Sequence, residues 1–312
     1  MSKMNECKIV MYHYVRPIKN SKYPNIRGLE LDGFQRQIEF FKKNFHFINM
    51  GELLASFYSN TDIPKNSILL TFDDGFKDHF SYVFPILKKL NIQACFFPPS
   101  KPIEEFSVLD VHKISYILST TSQDELIEEI FQLIRGNKDK FALKNPEDYF
   151  NQLAIPSRFD TKEAVFIKRI LQRELPKELR EDITNKLFIK FVQENETEVS
   201  KQLYLSISEM KEMTEAGMYF GSHSYSHEWL SYVDTASLKD EIKRSMDFLK
   251  KVNTDSQELV MCYPYGNYNE NVIKQLTETG FKAAVTTEVG NAVITKENLF
   301  KLKRFDTNDF PQ

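Results

Sequence analysis

The sequence predicts an α/β fold built on parallel strands, and three observations carry that prediction. Residues 66–72 (NSILLTF) and 92–97 (IQACFF) are short apolar, β-rich runs. Residues 76–91 between them carry a helical pattern of apolar positions. Strand, helix and strand within about 30 residues return the second strand parallel to the first, because a parallel pair needs a long crossover. The same alternation comes back after residue 206, three more times.

Taken in order, KIVMYHY (8–14) reads as a buried strand, followed by the loop RPIKNSKYPN. Over 31–45, Phe34, Ile38 and Phe41 recur at helical spacing. NSILLTF has Pro64 ahead of it and Asp-Asp-Gly closing it, and Pro85 marks a bend within the helical stretch 76–91. Pro98 and Pro99 stop the strand IQACFF. Residues 101 to about 200 read differently: 126–134, 164–175 and 183–193 are amphipathic helices, with no strand signal of comparable strength. This stretch is expected to be a helical insertion into a single domain spanning 1–312. The alternation then resumes with helix 206–217, strand 218–223, helix 237–252, strand 258–263, helix 269–280 and strand 282–287. Gly217 and Gly280 stand where a helix end wants a residue free to take positive φ.

Composition excludes several classes. The 312 residues hold 41 Lys or Arg against 44 Asp or Glu, a net charge of −3, so the basic footprint of a general nucleic-acid binder is missing. No apolar run approaches the roughly 20 residues that span a bilayer. The apolar stretch near the N-terminus is about six residues long, too short for a signal peptide, and a cytoplasmic location is expected. Cys7, Cys95 and Cys262 are odd in number and widely spaced, the pattern of separate, partly buried thiols rather than a disulfide framework. With 26 Phe and 14 Tyr against 10 Gly, an aromatic-rich core or cleft is expected.

Three short segments carry chemistry, each at the C-terminal end of a predicted strand, the edge where parallel α/β proteins build their sites. The first is Thr71-Phe72-Asp73-Asp74-Gly75. Two adjacent carboxylates repel each other and are costly to bury together unless a cation compensates. Gly75 permits a turn that brings both toward one centre, although Asp74-Gly75 also suits an ordinary turn with Asp73 capping the next helix. The second is Gly221-Ser222-His223-Ser224-Tyr225-Ser226-His227, whose histidines at i and i+4 share one face of a helical turn. With Asp74 they form a two-His, one-carboxylate set suited to Zn²⁺ or another first-row divalent ion. The third, Tyr263-Pro264-Tyr265-Gly266, reads either as a rigid turn or as one that aims the Tyr265 backbone N–H into the cleft as an oxyanion donor. His46, His79 and His112 match no motif and read as surface or capping histidines.

TFDDG, H-S-Y-S-H and YPYG, in that order, resemble the polysaccharide deacetylases, carbohydrate esterases that include chitin, peptidoglycan and poly-N-acetylglucosamine deacetylases. The resemblance covers roughly 1–100 and 201–305. It implies a distorted (β/α) barrel with its metal at the C-terminal strand ends, the helical stretch being an insertion. It also implies that Asp74, His223 and His227 hold a divalent metal, usually zinc. Asp73 would be the general base, and the Tyr265 amide an oxyanion donor. Where many relatives carry an Arg that orients the base, this chain has Cys262, and it has no His after His227 to serve as general acid. Tyr12-His13 is similar to the permuted arrangement of the poly-N-acetylglucosamine deacetylases, which assigns His13 as general acid.

The implied activity is removal of an N-acetyl group from an N-acetylated sugar or glycan. The rivals are an amidase of the same fold acting on a formyl, imide or non-sugar amide, and a degenerate relative that binds glycan without turnover. Without an export signal the substrate is expected to be cytosolic: a nucleotide-linked sugar, a lipid-linked glycan or a short oligosaccharide. The insertion, lying next to the cleft in sequence, is expected to act as a lid or wall, or as a dimer surface.

Overall fold

The computed structural model describes residues 5–158, 160–252 and 258–312. The chain forms two compact units. One holds the residues up to Pro17 with Gly28–Ser107 and Ser200–Gln312. The other holds Ile18–Arg27 and Val108–Val199.

The first unit is a closed ring of parallel strands. Strand β1 (Glu6–Tyr12) pairs with β2 (Ser67–Asp73) over six residues, from Cys7↔Ser67 to Tyr12↔Phe72. Next come β3 (Cys95–Phe97) and β4 (Tyr219–Phe220), also parallel. The ring continues through a single bridge, Ser222↔Met261, into β5 (Val260–Cys262), which pairs with β6 (Ala283–Val285). One more bridge, Val285↔Leu302, leads to β7 (Phe305–Asp306), which pairs with Val10 and Met11 of β1 and closes the circle. A two-residue strand, Ala292–Val293, adds an antiparallel partner at the start of β1. This is the expected distorted (β/α) barrel. The distortion sits at the two single-bridge joints, which is why the predicted strands 218–223, 258–263 and 282–287 shorten to two or three paired residues.

Strand alternation then sorts the side chains. Cys7, Ile9, Leu69, Cys95, Phe97, Val260, Cys262, Ala283 and Val285 fall in one buried cluster inside the ring. Apolar residues of the helix Met50–Tyr58 join it. That helix ends against the strand starts, with Asn5 donating to the Ser56 and Thr61 carbonyls and Tyr58 to the Lys282 carbonyl. On the outer face, Met261, Tyr263 and Ala284 pack under the helices Thr235–Val252 and Glu270–Glu278. Tyr12, Phe72, Phe96 and Phe220 share one level of four neighbouring strands, stacking in sequence at 4.9, 5.0 and 5.5 Å. Part of the phenylalanine excess is this ladder.

The predicted helix 76–91 is broken in two. A wide turn, His79–Val83, precedes the helix Phe84–Lys89. Pro85 has no N–H to give the carbonyl four residues back, so the turn opens to the i→i+5 pattern, with the Phe84 N–H on the His79 carbonyl.

In the second unit Ile18–Arg27 form turns, and Val108–Val199 hold helices and no strand among the described residues, the helices including Asp110–Thr120, Gln123–Phe141, Pro146–Leu153, Lys162–Arg169 and Lys177–Phe191. Leu126, Ile130 and Ile134 repeat every four residues on one face, and Leu179, Ile183 and Leu187 do the same, so each helix buries one stripe. His112 and Lys113 are buried in this unit, against the surface reading of His112. Lys113 is neutralised by Glu196 at 2.8 Å and donates to Asn185.

Candidate metal centre and catalytic site

Every residue singled out by the motifs lies in the barrel unit, at the C-terminal ends of the strands. β2 ends with Asp73 pointing inward, and the chain then turns through two left-handed residues, Asp74 (φ 69°) and Gly75 (φ 62°). At Gly75 a Cβ would stand 2.6 Å from the Pro98 side chain, so only glycine fits both the angle and the space. This double turn lets adjacent carboxylates serve one pocket instead of opposite faces of a strand.

The His223–His227 segment is not helical, which corrects the helical-turn expectation. Ser224 (φ 60°) and His227 (φ 61°) are both left-handed, and these two reversals bring the rings together. Of the ten non-glycine residues with positive φ among those described, Asp74, Ser224, His227 and Tyr265 all belong to this site. Such clustering marks a constellation held by its surroundings. Glu241, on the helix Thr235–Val252, supplies much of the hold. Its carboxylate accepts the Tyr225 and Ser226 N–H groups at 3.0 and 2.8 Å, and the Ser226 hydroxyl. The loop serines do the rest: Ser224 Oγ accepts the His227 N–H, and Ser222 Oγ accepts the Ser224 N–H.

Asp74 Oδ1 lies 3.4 Å from His223 Nε2 and 3.4 Å from His227 Nε2, and the two nitrogens are 3.2 Å apart. Ligands about 2.0–2.1 Å from a tetrahedral zinc stand about 3.3 Å from one another, so this triangle has the edge such an ion requires. The tautomer also fits. His223 Nδ1 donates to the Cys262 carbonyl at 2.7 Å, which leaves the Nε2 lone pair facing the centre. Burial opposes a charge on His223, yet Cys262, Asp74 and Asp73 together raise its pKa well above the ordinary imidazole value. All three residues are buried, with donor atoms close enough together to hold one metal ion.

Asp73 has a partner the motifs did not disclose. Arg304, with a fully buried side chain, grips Asp73 with two parallel hydrogen bonds, Nη1 to Oδ1 and Nη2 to Oδ2, both 2.8 Å. Its remaining donors reach Thr286 O at 2.7 Å, Thr71 Oγ1 at 3.1 Å and Cys262 Sγ at 3.3 Å. Burial alone would raise the Asp73 pKa, but the guanidinium beside it outweighs that effect and holds the carboxyl below its usual range. Cys262 thus stands where the family resemblance led us to look for an arginine, and a guanidinium lies against its sulfur. The signal in the sequence was faint: Leu302 and Arg304 alternate with the more exposed Lys301 and Lys303.

His13 follows β1, its side chain 44% exposed, with Nε2 4.0 Å from Asp73 Oδ2. Tyr265 takes φ 58° in the turn Pro264–Gly266. Its ring stacks on Trp229 at 4.3 Å and lies 4.7 Å from the His227 ring. Trp229, the one tryptophan of the chain, thereby joins the wall of the site without a motif having pointed to it. Of the histidines without a motif, His46 is exposed, whereas His79 is completely buried, against expectation.

Comparison with known proteins gives the family and the fold. Residues 60–132 and 188–284, more than half of the chain, match the polysaccharide deacetylase family, and the chain belongs to that family. His13 and Arg304 lie outside the matched residues. Over 89 residues the chain is 32% identical to YxkH of Bacillus subtilis (strain 168), whose name places it among polysaccharide deacetylases. That match spans 28% of this chain and 32% of YxkH, less than a third of the relative's length. Among solved structures, the fold is similar to the Streptococcus pyogenes deacetylase PplD, with a TM-score of 0.61 and 19% identity over 97% of this chain and 93% of that one. It is also similar to a de-N-acetylase from Aggregatibacter actinomycetemcomitans, with a TM-score of 0.53 and 15% identity over 97% and 96% of the two chains. Among the described residues, no helix is long and apolar enough to cross a membrane.

Proposed function

We propose that this protein is a metal-dependent hydrolase that removes the acetyl group from an N-acetylated sugar. The observation that carries the reading is the juxtaposition of a three-ligand cation pocket, Asp74, His223 and His227, with a separately ionised carboxylate, Asp73, on the next residue of the chain. Family membership supports the substrate class, and the names of the structural relatives support the acyl group.

When bound, the divalent ion supplies Lewis-acid charge, lowering the pKa of water and polarising the acyl oxygen. Zinc fits the donor set, two imidazoles and one carboxylate. The residues divide the remaining work. Asp73, kept ionised by Arg304, accepts the proton of the attacking water as the C–O bond forms. The Tyr265 N–H donates to the oxygen that gains charge. His13, partly open to solvent and close to Asp73, delivers a proton to the amine as the C–N bond breaks, giving acetate and a free amino sugar. Its place directly after the first strand supports assignment to the permuted arrangement found in poly-N-acetylglucosamine deacetylases. The bidentate Arg304–Asp73 pair weighs against a degenerate binder, because the orienting cation is present although its usual position holds Cys262.

Acetate release from a panel of N-acetylated sugars and short oligomers, by zinc-loaded wild type beside Asp73→Asn, tests this reading. The expected result is turnover by the wild type and a loss of about 10²–10⁴-fold in the variant. No acetate from this panel, with turnover of N-formyl or cyclic-imide substrates offered in parallel, would assign the site to the amidase rival.

A further inference from the structure

We propose that His79 is a positioning residue for His13, holding the backbone of the general acid in place through one side-chain hydrogen bond to its carbonyl. The inference rests on the deacetylase reading above. His79 Nε2 lies 2.8 Å from the His13 carbonyl oxygen, 66 positions apart in sequence. A carbonyl can only accept, so Nε2 carries the proton, and Nδ1 has no hydrogen-bond partner among the described residues. The tautomer is therefore fixed by this hydrogen bond.

The surroundings leave that ring a single pose. It packs against Phe72, Phe76 and Phe96 with centroids 5.3, 5.7 and 5.8 Å away, at the side of the aromatic ladder. The wide turn at His79–Val83 sets its entry, and that turn follows from Pro85. Burial pulls its pKa down to about 4, so it stays neutral at working pH and offers a donor without a charge.

The position explains why a side-chain donor is used. β1 pairs with β2 as far as Tyr12↔Phe72. One residue beyond Asp73 the chain swings away through the left-handed Asp74 and Gly75. The sheet ladder thus ends where His13 begins, and the His79 N–H takes the place of a ladder N–H on the next carbonyl. Beyond His13 the chain is next held at Tyr14, whose carbonyl accepts the Leu29 N–H at 2.9 Å and whose ring stacks on Phe76, so the His79 bond fills the gap at His13 between that anchor and the ladder. An apolar ladder alone would have been served by phenylalanine or leucine at position 79. A histidine there brings a buried nitrogen with no partner, which costs stability, so the N–H is the part with a use.

The test compares zinc-loaded wild type with His79→Phe, His79→Gln, His13→Ala and the double variant His13→Ala/His79→Phe. Acetate release, zinc per chain and selective NMR of the His13 imidazole are measured for each. His79→Phe is expected to lower kcat by about 10–100-fold with KM and zinc content unchanged, and to split the His13 signals. His79→Gln, which restores a donor, recovers most of the rate. Within the His13→Ala background, His79→Phe has no further effect. Wild-type kcat in His79→Phe, or an equal loss with and without His13, overturns the proposal. If His79→Phe does not fold, a His79→Gln variant that folds but shows split His13 signals overturns it equally. A wild type that releases no acetate, with His13 signals that still respond to His79→Phe, would strike the deacetylase reading and leave the contact standing.

Discussion

Arg304 is the residue on which the electrostatics of the site turn. Two carboxylates, Asp73 and Asp74, are buried side by side, and each is matched by a different cation: the guanidinium for one, the proposed metal for the other. Arg304→Met removes one half of a buried pair and leaves Asp73 without compensation, a change worth about 3–5 kcal/mol of stability. The pH dependence has a definite sign. Because the Asp73 pKa is depressed in the folded protein, its contribution is present above the unfolded carboxylate value and is lost as pH falls through the folded one. In Arg304→Met the Asp73 pKa rises instead, so the acid limb of the rate profile moves to higher pH and the rate at neutral pH drops. Urea unfolding and a pH–rate profile read the two effects separately, and an unmoved acid limb would show that Arg304 does not tune the base.

At the scale of elements, the site depends on strands that stop early and turn hard. Gly221 shows the constraint. A Cβ there would stand 2.4 Å from the Phe97 ring and 2.7 Å from the Val260 carbonyl oxygen, the latter backbone that cannot step aside. Gly221→Ala therefore pushes β4 and β5 apart next to the Ser222↔Met261 bridge, one residue before His223. The expected cost is about 1–3 kcal/mol, with weaker zinc binding, measured by urea unfolding and zinc titration; unchanged zinc affinity would show that the loop absorbs the shift. Elements of this kind also set what could be read in advance. Asp73, Asp74, His223 and His227 were legible because each pair sits within one short run, where spacing alone implies a shared centre. The strand alternation was legible because buried parallel strands are apolar throughout. Arg304 was not, since its partner lies 231 positions away and the two meet only when the ring closes. His79 was misread for a related reason: its neighbours come from β2, β3 and the end of β1, which no local pattern assembles.

For the whole molecule, closure of the barrel and assembly of the site are one event. The segment from Leu302 to Asp306 pairs first with β6 and then with β1, and Arg304 projects from the crossing point into the interior. A barrel closed in this way brings the Asp74–His223–His227 triangle, the Arg304-paired Asp73 and His13 to one rim. Metal stoichiometry on purified, metal-stripped protein titrated with zinc, wild type beside Asp74→Ala and His223→Ala, tests that claim most directly. The account predicts about one tightly bound ion per chain in the wild type and none in either variant. A wild type that binds no ion with zinc in excess, or variants that bind it equally well, would contradict it.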